Sequence, residues 1–537
     1  MRALSRRKFL KGSGALIVGF SAAGLTARFV TIPGEAVAQG INGPGSNQLD
    51  SWIAIGADGN VTAYTGKCEL GHGLYTAQTQ LIAEELSVPF ERVKLIQCDT
   101  AFTPDQGTTS GAQSHPTNFN QSNLALAGAT AREALLARAS TRLGVPVDQL
   151  GVKDGVISVK ADPAKKVSYG ELIGARTFSM TLNPNAKRKP ASEWTVLGKP
   201  IPRVEIPGIA TGQFEYVHNV RVPGMVHGRV VRPPAVGATL VSVDESSVQG
   251  MPGVVKIVVK KNFVGVVAEK PWQAIQAANK LKVVWTPGSG LPNQGTFHEY
   301  LRNQKPTRDT FSVNSKDVDE KLASAARVVK ATYHYPYQMH ASFGTACAVA
   351  DVQADKATIY SATQAVHPLK STAAMVLGFK PESVRVIFKM GSGCYGVNGA
   401  DTVSYDAALM SQAVGKPVRV QLARKDEMAW ENYGVAFVID QRAGLNADGT
   451  IVTWGRNIFG ETVVPAGLTN VLGIAAGYWH SLALKADSTV VALRVQPVYR
   501  FATNDPSAAR VFRPDPWRVP AHDPPPRVGP GGRRRAG

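Results

Sequence analysis

Residues 68–75 read CELGHGLY, two glycines around a histidine at the mouth of a helix-like run. Three chemistries are open to His72: metal ligation, base catalysis, or a place where a cofactor lies against bare backbone. A second candidate is GSGCYG at 391–396, which fits G-x-G-x-x-G after a strand-like run and before a helix-like one. Asp426 and Glu427 follow the next strand, farther on than the ~20 residues of a dinucleotide fingerprint. Glycines there let backbone N–H groups approach an anion, helped by a helix N-terminus. NAD binding, generic phosphate cradling and a plain turn all stay open. The third candidate, GTTSGAQS at 107–114, offers hydroxyls and amides suited to phosphate or pyrophosphate, or simply to solvent. Three such loops in one chain favour an extended, phosphate-bearing cofactor.

Other chemistries are poorly provided for. Cys68, Cys98, Cys347 and Cys394 are far apart, form no C-x-x-C, and each reads as a small buried hydrophobe. An ordinary iron–sulfur cluster draws its cysteines from tight groups, so the chain cannot ligate one alone. No HExxH or close histidine pair suits zinc. The formal charge of +19 raises a nucleic-acid role, but its distribution argues against one. Five positives fall in residues 1–11, and nine arginines face three aspartates in 494–537. The remainder is scattered, with no basic helix or RNA-reading motif.

The elements that must position these loops are legible. At 537 residues, with 44% hydrophobic and 18% charged residues, the chain is globular and multi-domain. A hairpin, WIAIG and VTAYTG around Ala57–Asn60, precedes a helix over LYTAQTQLIAEEL. Strand VKLIQCD and a long helix LALAGATAREALLARASTRLG complete a segment over 47–182. Residues 183–205, rich in Pro and Lys, read as a linker. A unit over 206–287 alternates valine-rich strands with the helix PWQAIQAANK, and a third α/β unit covers 290–450. LNADGTIV at 445–452 echoes LKADSTVV at 484–491, a 39-residue offset typical of propeller or solenoid repeats. Residues 494–537, Pro- and Arg-rich, should be disordered.

The amino terminus reads as an address. Ser5-Arg6-Arg7-Lys8-Phe9-Leu10-Lys11 resembles a twin-arginine export signal, and Ala36-Val37-Ala38 is a cleavage site for a signal over 1–38. The apolar run behind it is too short and glycine-rich for a membrane span. The expected compartment is the periplasm, with a cofactor loaded before export.

Several blocks together resemble one family. Residues 217–244, VHNVRVPGMVHGRVVRPPAVGATLVSVD, are similar to the hammerhead domain of aldehyde oxidases and xanthine dehydrogenases. Residues 332–352 and 362–428 resemble their molybdopterin-binding domain. TGKCELGHGLYTAQTQLIAEEL at 65–86 matches a segment that most members carry much later. Its position here, behind a twin-arginine signal, is that of the isoquinoline 1-oxidoreductase β-subunit type. The resemblance implies an α+β, multi-domain molybdopterin-binding fold of the xanthine dehydrogenase type with a hammerhead α/β domain. It implies a molybdenum hydroxylase acting on an aldehyde or aromatic N-heterocycle with water-derived oxygen. The cofactor would be molybdopterin cytosine dinucleotide with molybdenum and no protein ligand to the metal. Iron–sulfur clusters would sit on a small partner subunit, with a c-type cytochrome as the family's acceptor.

Carried over by position, Gly71, His72 and Gly73 lie against the cofactor, with His72 where relatives usually have Gln. Gln338 matches the glutamine bonded to an oxygen ligand of molybdenum. Gly391, Gly393, Cys394, Tyr395 and Gly396 form the pterin-side loop, and Thr109, Ser110, Gly111 and Ala112 the pyrophosphate-side loop. The family's general base, a Glu in a GEPP-like motif, has no counterpart, so no catalytic residue is assigned. Instead, residues 451–493 resemble a regulator-of-chromosome-condensation propeller repeat. The expectation is a chimeric or truncated chain, incomplete at its C-terminus and inactive by itself. The alternatives are an NAD-dependent dehydrogenase using GSGCYG and a non-enzymatic binding protein using the propeller-like end.

Overall fold

The computed structural model describes residues 45–109, 124–174, 176–310, 317–396, 399–447, 451–452, 468, 470–476, 481–485, 487 and 489–493. The expected signal over 1–38, Ser110, Gly111 and Ala112, and the tail 494–537 lie outside them. Among the described residues, those up to Pro292 and from Tyr337 to Val435 form one unit. Those from Asn293 to Pro336 and from Ala436 onward form another.

In the first unit, β1 (Ile53–Ile55) and β2 (Val61–Thr65) make the expected hairpin, turned by Asp58, whose carboxylate accepts the Asn60 N–H. α1 (Leu74–Leu86) spans the predicted helix. β3 (Val93–Gln97) lies parallel to β2, and α2 (Leu124–Leu143) packs on α1. The two helices touch through Gly128, where a Cβ would come within 2.9 Å of the Glu85 Cβ. Trp52, Ile82, Leu126 and Leu135 are buried in the core they close. Each such side chain contributes roughly 1.5–3 kcal/mol by its removal from water. A meander of β4 (Leu150–Lys153), β5 (Val156–Val159) and β6 (Asp162–Ser168) follows, which the sequence pattern does not reveal.

The stretch expected to be a linker, 183–205, is fastened down instead. Buried Glu84 of α1 pairs with Lys189 and accepts the N–H groups of Thr195, Val196 and Leu197 at 2.8, 2.6 and 3.1 Å. Arg188 pairs with Glu85, and Val204 N–H donates to Thr76.

The next strands are β7 (Val226–Val230), β8 (Leu240–Asp244), β9 (Val254–Lys260), β10 (Phe263–Ala268) and β11 (Lys282–Trp285). Helix α3 (Pro271–Lys280) lies between β10 and β11. β12 (Arg327–Tyr335) belongs to the second unit. The first unit resumes with β13 (Cys347–Val352), β14 (Ala357–Ser361), α4 (Val366–Leu377), β15 (Val384–Phe388), α5 (Ala400–Val414), β16 (Val418–Gln421) and α6 (Arg424–Trp430).

One expected boundary has to be corrected. The sequence pattern separates 206–287 from 290–450 as domains, yet the two share a seven-stranded sheet of order β15-β14-β13-β16-β7-β10-β9. The join is the parallel pairing of β16 with β7, Val418 to Val226 through Val420 to Gly228. Gly228 makes it possible, since a Cβ there would fall 2.3 Å from the Met410 sulfur of α5. The GSGCYG loop follows β15, an edge strand. That is not the central switch point a doubly wound dinucleotide fold would use.

In the second unit, β12 pairs with β17 (Phe437–Leu445) along its whole length. β17 turns into β18 (Ile451–Val452), with Leu445 opposite Ile451. β19 (Val471–Ala476), β20 (Ser481–Lys485) and β21 (Val490–Leu493) make a three-stranded antiparallel sheet, with Leu484 opposite Val490. The 39-residue echo therefore has a local cause: both copies place their leading leucine opposite the residue six positions on, across a hairpin.

Candidate cofactor site

The loop between β2 and α1 is organised by a residue that sequence reasoning missed. Glu69 is buried, and its carboxylate accepts the N–H of Gly71 (2.7 Å), Gly73 (3.0 Å) and Tyr75 (2.9 Å). The amides expected to be bare are therefore engaged within the loop. Gly71 and Gly73 adopt φ of 103° and 82°, which lets the chain curl around the carboxylate. His72 is half exposed; its Nδ1 accepts the Leu70 N–H and lies 3.4 Å from Glu69. Burial alone would raise the Glu69 pKa, but His72 and the three amides outweigh it and hold it at about 2.

The sign of the resulting pH dependence follows. The folded carboxyl titrates below its ordinary 4.5, so its stabilisation is complete above that value and is lost as pH falls toward about 2. At neutral pH it amounts to about 3 kcal/mol. Glu69→Gln should flatten acid unfolding between those values. An unchanged acid-unfolding curve for the variant would refute this role.

The same loop is tied to the hydroxyl-rich loop. Lys67 Nζ donates to the carbonyls of Gln106 (2.7 Å) and Thr108 (2.9 Å), and burial lowers its pKa. Cys68 N–H donates to Thr109 Oγ1 at 2.9 Å, and Cys68 Sγ lies 2.7 Å from the free thiol of Cys98. Thr109 exchanges two hydrogen bonds with Gln364, one in each direction, both 2.9 Å. Cys68 also reaches the Thr363 carbonyl at 3.5 Å. Asp99 clamps Arg385 of β15 with two hydrogen bonds. The exit of β14, residues 361–364, is thus a hub that sequence reasoning also missed. Its only sequence signal is a polar Thr-Gln pair closing an apolar strand.

The glycine loop meets this hub from the other side. A Cβ on Gly391 would lie 2.9 Å from that of Ala362. Gly393 and Gly396 have φ of 139° and 119°, and Tyr395, at φ 56°, is largely exposed. Burial pushes the Cys394 thiol up to about 11, so it is a protonated donor, bonded to the Gly396 carbonyl at 2.7 Å.

Residues 338–346 close the site. Gln338, exposed, pairs through its backbone with Gly434. Glu431 accepts the N–H of His340 (2.6 Å) and Ala341 (3.1 Å), Glu427 accepts that of Ala346 (2.6 Å), and Arg424 donates to the carbonyls of Ser342 and Phe343. α6 and the residue after it therefore hold this segment against the glycine loop. Gly344 abuts Ser392, and Gly396 abuts His340. Cys68, Thr109 and Gly391 meet at 361–364, and His340 and Gly344 abut the 391–396 loop, whereas Gly71, His72 and Gly73 are held within their own loop by Glu69 and Gln338 pairs with Gly434. Among the described residues, no group of three or more His, Cys, Asp or Glu could hold a metal ion.

Two family models, both described as molybdopterin cofactor-binding domain, match residues 299–466 and 27–220. A nicotinate dehydrogenase subunit of Pseudomonas putida is 38% identical over 460 residues, covering 84% of this chain and 38% of that protein. The β-subunit of isoquinoline 1-oxidoreductase from Brevundimonas diminuta is 26% identical over 475 residues, 79% of this chain and 60% of its own. The aldehyde oxidoreductase molybdenum-binding subunit of Escherichia coli is 25% identical over 317 residues, 53% of this chain and 43% of its own. The chain thus spans less than two thirds of the length of each of these relatives.

The site suits a large polar group. Ser392 Oγ, His340 Nδ1, Glu427 Oε1 and Glu431 Oε2 are all buried without a hydrogen-bond partner beside the glycine loop, His340 Nδ1 lying 4.0 Å from Glu431 Oε1. Buried polar atoms are rarely left so, and four in one place mark where an absent group would supply hydrogen bonds. With the α+β fold, the convergent loops and both family matches in hand, the chain belongs to the molybdopterin-binding subunits of the aldehyde oxidase/xanthine dehydrogenase family.

Proposed function

We propose that this chain is the molybdenum-binding part of a molybdenum hydroxylase that oxidises an aromatic N-heterocycle or an aldehyde with water-derived oxygen. The reading is carried by the meeting of Cys68, Thr109 and Gly391 at the β14 exit, together with the four buried polar atoms beside the glycine loop that lack hydrogen-bond partners. The names of the relatives, nicotinate dehydrogenase, isoquinoline oxidoreductase and aldehyde oxidoreductase, support the substrate classes. The cofactor is molybdopterin cytosine dinucleotide; when bound, it supplies the two-electron oxidation that the chain's own groups cannot. Iron–sulfur clusters reside on a small partner subunit, and a c-type cytochrome takes the electrons onward. The protein works in the periplasm after twin-arginine export, as residues 1–38 support.

The chain's contribution is positional, as expected of a cofactor enzyme. Glu69 shapes the loop that presents His72, and Lys67 and Thr109 fix that loop to the next. Glu427 and Glu431 hold His340, Ala341 and Ala346 at the rim, where Phe343 and Tyr395 stand exposed. Protein from a molybdenum-competent bacterium should retain molybdenum and release CMP on acid hydrolysis. Retention of a nicotinamide dinucleotide, or absence of both molybdenum and CMP, would overturn the proposal.

A further inference from the structure

The seven-stranded sheet is conventional on one face and unusual on the other. Gly228, Val418 and Val420 face α5. By alternation the neighbouring residues of the two central strands, His227, Arg229 and Arg419, point the other way. α3 covers β10 on that side, with Val264, Val266 and Ala277 in a small apolar core. Along β7 and β16 that face carries basic side chains: His227 and buried Arg419 are direct partners in the parallel register.

Arg221 adds a further charge, and burial together with Arg419, Arg221 and Arg229 holds His227 down to about 4. These guanidiniums bond to carbonyls and to an amide: Arg221 to His218 and Val220, Arg229 to the Gln421 carbonyl, and Arg419 to the Gln421 side chain. No described carboxylate is hydrogen-bonded to any of the three, while His227 Nδ1 and Arg419 Nε are buried without a partner. Asp426 is the carboxylate that acts on Arg229, and it also faces Arg232 and Lys425, so positive charge here exceeds its counter-charge; buried charge in such excess is costly and favours an anion.

At Arg229 this face opens into a cleft of about 240 Å³ between the end of β7, α3 and the turn after β16. Arg232, bonded to buried Asp406 through Nη2, has its Nε buried and unpartnered beside the cleft. Lys425 reaches in from the first turn of α6, and Asp426, its neighbour there, is the one acid in the lining. Val230, Val231, Ile275 and Leu422 supply apolar walls. We propose that this cleft binds a small organic carboxylate, its charge held by Arg229, Arg232 and Lys425 and its apolar body held against Val231 and Ile275. Arginine forks match carboxylate geometry, and mixed apolar and cationic walls select an organic anion over a bare inorganic one.

The test uses benzoate as probe and benzamide as its uncharged counterpart; neither is an aldehyde or an N-heterocycle. Calorimetric titration of the full chain, with and without cofactor, should show saturable benzoate binding that weakens with salt, and none for benzamide. Exposed Lys425→Glu should weaken benzoate about tenfold or more, as loss of a charge-assisted contact does. Arg229→Gln should do likewise, while Lys153→Glu on β4 should not. Equal binding of both probes, or unchanged affinity in Lys425→Glu, overturns the proposal. Because binding is read on cofactor-free protein too, its failure is distinct from failure of the hydroxylase reading.

Discussion

Glu84→Ala should be among the most damaging single substitutions in the described chain. The carboxylate has no solvent exposure, pairs with Lys189 and accepts three consecutive N–H groups, those of Thr195, Val196 and Leu197. Alanine would strand a largely buried ammonium and leave three donors without an acceptor. Breaking a buried pair from one side costs about 3–5 kcal/mol. Because the chain has two units, the loss is best read locally, as new proteolytic cleavage within 183–205 accompanied by a lower melting midpoint. Glu84→Gln keeps an acceptor and should lose less. Burial alone would raise the Glu84 pKa, but hydrogen bonds from Lys189 and the three amides outweigh it and lower the pKa. The contact is therefore at full strength at neutral pH and weakens in acid. Wild-type protease resistance in Glu84→Ala would refute the account.

The same residue illustrates where sequence reading stops. Helices α1, α2 and α5 were legible because apolar spacing and terminal glycines or polar residues mark them, and buried strands such as β13 and β15 because valine and isoleucine crowd them. β6 was not, since five of its seven residues are exposed and carry no alternation. The union of the strands over 206–287 with those over 290–450 was also invisible: β7 meets β16 across almost two hundred residues, and no local pattern encodes such a partner. At the site, glycine loops announced themselves by residue type. The carboxylates that shape them did not, because a buried glutamate that accepts backbone N–H groups is spelled like a solvated one. Glu69 offered one usable hint, its place directly before glycines at positions 71 and 73. Glu427 and Glu431, four apart on one helical turn, offered another: a like-charged pair there is unfavourable unless both are engaged elsewhere.

Gly66→Ala should separate the two loops that the proposed cofactor requires together. A Cβ at this position would sit 2.3 Å from the Pro104 carbonyl oxygen and 3.1 Å from the Gln106 nitrogen, both backbone atoms that no rotamer change can move. Gly66 N–H also donates to the Gln106 side chain at 2.7 Å, and Lys67 bonds to the Gln106 and Thr108 carbonyls, so the displacement would run along 104–109 to Thr109. Overpacking of this kind costs about 1–3 kcal/mol or more, and each 1.4 kcal/mol is tenfold in cofactor affinity. Cofactor affinity should therefore fall about tenfold, read as molybdenum lost during purification and dialysis, with a lowered melting midpoint in the cofactor-free protein as well. Gly71→Ala is the informative contrast: its φ is 103°, yet nothing lies within 4 Å of the added carbon. It would suffer backbone strain alone, of order 1–3 kcal/mol, without pushing on the neighbouring loop. If Gly66→Ala retained as much molybdenum as the wild type, close apposition of the two loops would not be what holds the cofactor.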